Sequence, residues 1–387
     1  MKNEKRLKFN RTLVAIFCCL WVSNFAKAQV PKVGDSLQIE IANWNLNWLG
    51  KKGYGPSNEL LQQKNIIDVI RASDIDIWTF CEVSDELVFD SMLQQLPEYK
   101  YKICNYLPEQ KTAVVYKKSM FTLIKSELIG TQQKDSFSTL RFPFEVALKP
   151  LIPMGIDTLY LIAIHLKANF GTSSELLSAY NSRIRSGQWL KMYLNKKHRN
   201  DYCILLGDWN DDIDESIYNS LPSPFAPMLD ANFDFTFLTQ IFTNAHIGTT
   251  TNYPDAIDHQ LISNRLKKQY VLNSTKLFTL NQYIANFSTT TSDHYPVYSS
   301  FTSQMSKINN FKIGEHLILY LNADRSKLTL EGAESNGQFR LYNNLGQCVI
   351  NYLFNSNETF DISALPQGIY TAEINTDKGY TTIKVAF

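Results

Sequence analysis

The sequence predicts a mixed α/β sandwich followed by a small β-sandwich, on three observations. Apolar runs of strand length alternate with longer segments of helical period through roughly the first 300 residues, yet some neighbouring strands have no helix between them. After a polar stretch at 304–313 the texture changes to short strand-like pieces separated by Asn-Asn, Gly and Asn-Ser turns. The N-terminus stands apart from both: Lys2, Lys5, Arg6, Lys8 and Arg11 precede an apolar run at 12–22, and Ala26-Lys27-Ala28 supplies a small-x-small pattern.

Residues 1–28 therefore read as a secretory signal whose removal leaves Gln29 first. Its apolar run is short for a membrane span, and no later segment approaches that length, so a soluble exported chain is expected. Cleavage removes six Lys/Arg and one acid, leaving 32 bases against 36 acids. That balance excludes a polybasic nucleic-acid wrapper; a polyanionic substrate would need a local site, most simply one with a metal cation. Cys81, Cys104, Cys203 and Cys348 remain, too scattered for a disulfide framework or a CxxC zinc site. Cys81 and Cys203 lie in apolar runs and read as small core residues.

In chain order, residues 36–44 (SLQIEIANW) alternate as a strand, and 45–50 (NLNWLG) follow at its end. Residues 58–72 place Leu60, Leu61, Ile66, Ile67, Val69 and Ile70 at helical spacing. Residues 74–82 (DIDIWTFCE) form a buried strand ending in a carboxylate, and 86–96 a helix stopped by Pro97. Further strands are expected at 112–117, 142–148 and 158–166, the last with His165 near its end, then a long helix over 178–197. Residues 202–208 (YCILLGD) make a buried strand that ends in Asp208, with Asn210, Asp211 and Asp212 in the turn beyond. Residues 256–263 carry Asp258 and His259, and TSDHYP at 291–296 precedes a last strand at 297–301.

The polar residues Asn45, Glu82, His165, Asp208, Asn210, Asp293 and His294 all adjoin apolar strands. Singly, each has an ordinary explanation as a turn residue, cap or satisfied core group. Together they point to one rim, where α/β sheets keep their chemistry. Carboxylate and amide oxygens suit a hard cation, and two histidines with nearby carboxylates suit proton transfer near neutral pH. Zinc fits less well without an HExxH or CxxC companion, and no GxSxG elbow supports a serine triad. Asp211 and Asp212 read as solvated turn acids.

The ordered series WNLNWLG, TFCEV, RFPF, AIHLKA, LLGDWND, AIDHQLIS and TSDHYPV resembles the motifs of the endonuclease/exonuclease/phosphatase superfamily, over roughly residues 37–301. The resemblance implies a four-layer α/β sandwich, two mixed sheets face to face with helices outside, and Mg²⁺-dependent phosphoester hydrolysis, with Mn²⁺ or Ca²⁺ as alternatives. It implies Glu82 as the main metal ligand with Asn45 and Asp293 beside it. His165 and His294 would flank the phosphate, Asp258 would orient His294, and Asp208 and Asn210 would position water or protonate the leaving oxygen. Arg141 would neutralise a phosphate. Where deoxyribonuclease-like members carry a tyrosine and an acid before the strand at 112–117, this chain has Tyr106-Leu107-Pro108-Glu109-Gln110, so His165 either lacks its carboxylate or takes Glu109 or Gln110 instead. His259 departs from the usual apolar residue and is expected to point away from the site.

Residues 341–347 (LYNNLGQ) and 361–370 (DISALPQGIY) resemble the C-terminal sorting domain of type IX secretion in Bacteroidetes. That implies export through the periplasm by the type IX machinery to the cell surface or medium. The resulting organisation is signal 1–28, catalytic domain 29–303, linker 304–313 and sorting domain 314–387. The expected protein is a monomeric nuclease acting on extracellular DNA or RNA. The alternatives are a phosphodiesterase or phosphatase on lipid headgroups or small phosphoesters, and an inactive surface-binding module. The loop at 131–138 and the aromatic segment at 225–242 are expected to hold the contacts that choose the substrate.

Overall fold

The computed structural model describes residues 29–35, 38–151, 155–302, 318–321, 326–331, 336–366, 368–377 and 379–386. The expected signal and linker lie outside these residues.

The first half of the catalytic region comprises β1 (Gln38–Leu49), α1 (Glu59–Ser73), β2 (Ile77–Val83), α2 (Glu86–Leu93), β3 (Tyr99–Ile103), β4 (Lys111–Lys117), β5 (Phe121–Leu128), β6 (Phe144–Pro150) and β7 (Leu159–His165). There follow α3 (Ser173–Lys197), β8 (Tyr202–Asp208), β9 (Phe235–Phe237), α4 (Gln240–Asn244), β10 (Asp258–Ser263), α5 (Asn264–Lys267), β11 (Lys276–Leu277), α6 (Phe287–Thr290) and β12 (Val297–Thr302). One six-stranded sheet runs β11-β12-β1-β2-β4-β3 and the other β5-β6-β7-β8-β10-β9. Each contains one parallel pair, β1 with β2 and β7 with β8, among antiparallel neighbours.

Strand alternation builds the layers. Ile39, Ile41, Ile77 and Val114 of the first sheet meet Val146, Leu161, Ile204, Leu206 and Ile262 of the second in the central core. The opposite faces carry Trp44, Trp78 and Phe80 toward Ile66, Ile70 and Phe89 of α1 and α2, and Ile162, Ile164, Cys203 and Leu205 toward Leu190 and Leu194 of α3. This is the four-layer sandwich, with period-2 strands buried on both faces. Inside it, the Gln260 amide nitrogen donates to the carbonyls of Ile41 and Val297 and to Asn43 Oδ1, stitching the sheets with satisfied polar groups.

The C-terminal region forms two antiparallel sheets. One is β13 (Ile318–Leu321), β14 (Lys327–Glu331) and β17 (Glu358–Asp361); the other orders β16 (Cys348–Phe354), β15 (Gly337–Tyr342), β18 (Ile369–Thr376) and β19 (Gly379–Ala386). They close over their own core of Leu328, Leu330, Phe339, Leu341, Phe360, Ile374 and Val385. The Tyr370 hydroxyl donates to the Pro366 carbonyl at 2.7 Å. Cys81, Cys104, Cys203 and Cys348, the cysteines among the described residues, form no disulfide with one another.

Candidate active site

The parallel pairs end on the same side of the sandwich, and β10 and β12 begin there, so the two sheets share one rim. β8 reaches it through Gly207 at φ +136°, where a Cβ would lie 2.1 Å from the Ile164 carbonyl oxygen. Only glycine lets β8 run this close to β7 and still deliver Asp208 opposite His165. Glu82 (φ 59°), Asn210 (φ 55°), Asn47 (φ 50°) and Trp48 (φ 58°) are all left-handed around the same rim. Strain of this kind persists only where surrounding contacts enforce it, and it concentrates at working sites.

Asn45, Glu82, His165, Asp208, Asp258 and His294 converge. The Asn45 amide nitrogen donates to Glu82 Oε1 (3.2 Å) and Asp208 Oδ2 (2.9 Å), and the Trp48 backbone N–H donates to Glu82 Oε2 at 2.9 Å. His165 Nε2 stands 3.6 Å from both Glu82 and Asp208, while His165 Nδ1 is buried with no hydrogen-bond partner among the described residues. His294 Nδ1 is 2.8 Å from Asp258 Oδ2, which also accepts from Thr249 Oγ1, and His294 Nε2 lies 3.9 Å from Asp208. Trp44 Nε1 donates to the His294 carbonyl and Ser292 Oγ to that of Asn45, clamping the 292–294 segment onto β1.

Burial sets the proton affinities. It pushes the Glu82 carboxyl up, and raises Asp208 to about 7 against the opposing pull of His294. His165 is driven well below the usual histidine value by burial and then by the Arg141 and His294 charges. Burial also opposes charge on His294, but Asp258, Asp208 and Asp293 outweigh it and hold the imidazole protonated. Neighbouring groups pushed in opposite directions are the pattern expected of acid–base pairs.

Arg141 borders the same cleft, which has a volume of about 640 Å³ and is also lined by Asn210 and Asp293. Its guanidinium donates to Gln110 Oε1, Thr139 Oγ1 and the Leu166 carbonyl, all neutral, and no carboxylate of a described residue lies in ion-pair range. Gln110 thus serves Arg141 and Glu109 pairs with Lys51, so neither substitutes as a partner for His165. Asn210 donates from its amide to the Leu166 carbonyl and from its backbone to Asp208 Oδ1, holding that carboxylate in place. A larger cavity of about 820 Å³, between α1 and residues 283–290, is lined by no histidine and only the acid Asp68, which Lys64 pairs.

The donor set fits a hard divalent cation. Glu82 is a buried carboxylate with no Lys or Arg in ion-pair range among the described residues, and Asp293 on the same cleft offers a second carboxylate; Asn45 Oδ1 accepts from the Asn47 N–H at 2.9 Å, so it reaches a cation only if the amide turns. Ligand atoms of Asp208, Asp258 and His294 also lie within 4.8 Å of one another. There His294 Nδ1 is already engaged by Asp258, so that trio reads as a proton relay with one free imidazole nitrogen.

Three expectations need correction. Asp211 and Asp212 are buried, not solvated: Asp211 pairs with Arg183 Nε at 2.9 Å and accepts from Ser216 and Ile217, while Asp212 accepts from Thr243 and the Ala256 N–H. Residues 225–242 do not face the cleft, because Phe225, Phe233, Phe235 and Phe237 pack into the core beneath α3. The 131–138 loop is also absent from the cleft wall; Ser136 and Phe137 pack against Ser182, Ser186 and Trp189 of α3. His259 does point away from the cleft, bonding Thr239 and the Asp211 carbonyl. Ser292, which fixes residues 292–294, lies within the TSDHYP motif, whereas Thr249, which fixes Asp258 from nine residues upstream, carries no sequence signal.

The model of the Endonuclease/Exonuclease/phosphatase family matches residues 42–294, and the chain belongs to that family. Residues 319–386 match the Secretion system C-terminal sorting domain. Among solved structures, D. rerio TDP2 complexed with single strand DNA product is 14% identical, with 70% of this chain and 100% of that one covered at a TM-score of 0.52. An endonuclease/exonuclease/phosphatase from Beutenbergia cavernae is 13% identical over 90% and 100% of the two chains, with a TM-score of 0.51. The human Nocturnin catalytic domain with bound sulfate anion is 15% identical over 69% and 94%, with a TM-score of 0.50. These likenesses establish the fold. No curated protein matches the chain.

Proposed function

We propose that the protein is an exported, divalent-cation-dependent phosphodiester hydrolase that cleaves DNA or RNA. The observation that carries the reading is the convergence of Glu82, Asp208 and the His294–Asp258 pair with an Arg141 guanidinium that has no carboxylate of a described residue in ion-pair range. Glu82, with Asn45 and Asp293, would hold Mg²⁺, or Mn²⁺ or Ca²⁺, which when bound supplies Lewis acidity toward a phosphoryl oxygen. Arg141 neutralises the phosphate, and neutral, buried His165 presents a hydrogen bond to it. Asp208, steadied by Asn45 and Asn210, accepts a proton from the attacking water. His294, charged and oriented by Asp258, donates from Nε2 to the leaving oxygen. Unaided phosphate-ester hydrolysis is slow enough that enzymes reach accelerations of up to ~10²¹-fold on monoesters, so both charge neutralisation and proton transfer are required.

The TDP2 complex with a DNA product supports the nucleic-acid reading, and the sorting domain supports delivery by the type IX machinery to the cell surface or medium. The protein is taken to act as a monomer. The test is a panel of plasmid DNA, RNA, sphingomyelin and inositol phosphates, each with Mg²⁺, Mn²⁺, Ca²⁺ or EDTA. Cation-dependent cleavage of a nucleic acid is expected. Turnover confined to the lipid or the inositol phosphates moves the assignment to a small-phosphoester hydrolase, and no turnover at all favours a binding module.

A further inference from the structure

The cleft has a polar floor and an aromatic rim. Three separate segments that shape the floor each bring a ring to the edge. Trp48 follows Asn45 on β1, and Tyr54 stands behind it with ring centroids 4.7 Å apart. Phe170 lies in the loop after His165 and is 86% exposed. Tyr253, 48% exposed, lies in a loop tied to residues 293–295 through the Thr251 N–H to Asp293 carbonyl bond and the Tyr295 N–H to Thr249 carbonyl bond. One exposed ring needs no explanation, but two on separate loops around one cleft, with the half-buried Trp48 of β1 beside them, do, in a chain that buries Phe225, Phe233, Phe235 and Phe237.

Polar atoms beside these rings are also unsatisfied. Asn169 Oδ1, next to Phe170, and Thr251 Oγ1, two residues before Tyr253, are shielded from the surface without a hydrogen-bond partner among the described residues. Lys167, on the Phe170 loop, lines the cleft as well. Exposed ring faces and a cation on one loop match a nucleobase on its phosphate backbone. A bilayer would satisfy the rings but not the polar floor beneath them, where Arg141, Asn210, Asp293 and His294 line the cleft.

We infer that Phe170 and Tyr253 form a stacking subsite for the bases that flank the scissile phosphodiester, which makes the preferred substrate a single-stranded nucleic acid. The inference rests on the nuclease reading above. An internal base that lies against a protein ring has left the base stack of a duplex, so the rim favours single strands by structure and tolerates any sequence.

The test compares initial rates of the full chain and its Phe170→Ala, Tyr253→Ala and Phe170→Trp variants on two substrates with Mg²⁺. One is a single-stranded oligonucleotide and the other an abasic strand of the same length. Each alanine variant should raise KM for the oligonucleotide roughly tenfold while kcat stays within about twofold, and Phe170→Trp should restore KM. The abasic strand should show the raised KM already with the unsubstituted chain and no further change in the variants. Equal KM values across variants on the oligonucleotide would overturn the stacking subsite and leave the nuclease reading intact. Failure of the unsubstituted chain to cleave either strand would overturn both. Phe170-dependent sedimentation with phosphatidylcholine–phosphatidylglycerol vesicles, without a change in oligonucleotide KM, would reassign the rim to a lipid surface.

Discussion

Asp208 holds its proton up to about pH 7 because burial strips water from its carboxylate and Asp258 adds like charge, effects that His294 and Asn45 only partly offset. A carboxyl whose folded pKa lies above its unfolded value stabilises the fold at acid pH, and that contribution is lost as pH rises from about 4 through 7. Asp208→Asn should therefore abolish hydrolysis yet raise thermal stability at pH 8 in chelator by a few kcal/mol, with little gain at pH 4. Identical melting temperatures of the two proteins at both pH values would contradict this. Glu40 offers the contrast. It is buried at the far end of β1, raised to about 9 by burial and by Asp76, and has no part in the cleft, so Glu40→Gln should stabilise at pH 8 and leave turnover unchanged. At the phosphate-binding edge, Gln110→Glu would place a carboxylate on Arg141 and cancel the charge offered to substrate. KM for a phosphodiester should rise several-fold, more than kcat falls, as steady-state kinetics would show.

Among the elements, α3 sets the depth of the turn after β8. Arg183 on α3 is fully buried, donates from Nε to Asp211 and from Nη1 to the Lys167 carbonyl, and so ties together the loops that follow β7 and β8. Removing one partner strands the other charge in the interior, so Asp211→Ala should lose about 3–5 kcal/mol by urea denaturation. This pair also shows where sequence reading stops. Strand ends at Glu82, His165 and Asp208 were legible because apolar runs of strand length stop there, and period tells which residues reach a rim. Asp211 was not, because Gly-Asp-Trp-Asn-Asp-Asp reads as an exposed turn until a helix from another part of the chain covers it. The edge strands β3 (YKYKI) and β5 (FTLIKSEL) were hidden for a related reason: their outer faces carry the Lys and Glu that edge strands use against mispairing, and these dilute the apolar signal. The partner of Arg141 was equally opaque, since Gln110 became meaningful only when its side-chain oxygen was seen on the guanidinium.

At the scale of the whole molecule, the four-layer region and the C-terminal sheets have separate hydrophobic clusters, and every proposed site residue belongs to the first. A chain ending at residue 302 should keep the full chain's kcat/KM on phosphodiesters within about twofold, whereas residues 318–387 alone should hydrolyse nothing. In the proposed function, one rim shared by two sheets assembles a cation-dependent phosphodiesterase from Glu82 and the His294–Asp258 pair. This is tested most directly by initial rates on a single-stranded oligonucleotide, with Mg²⁺ or EDTA, for the unsubstituted chain and for folded Glu82→Ala and His294→Ala variants. EDTA should abolish cleavage, and each substitution should lower it by about 10²–10⁴-fold. Undiminished cleavage in EDTA, or in either variant with its circular dichroism and melting transition intact, would contradict the proposed function.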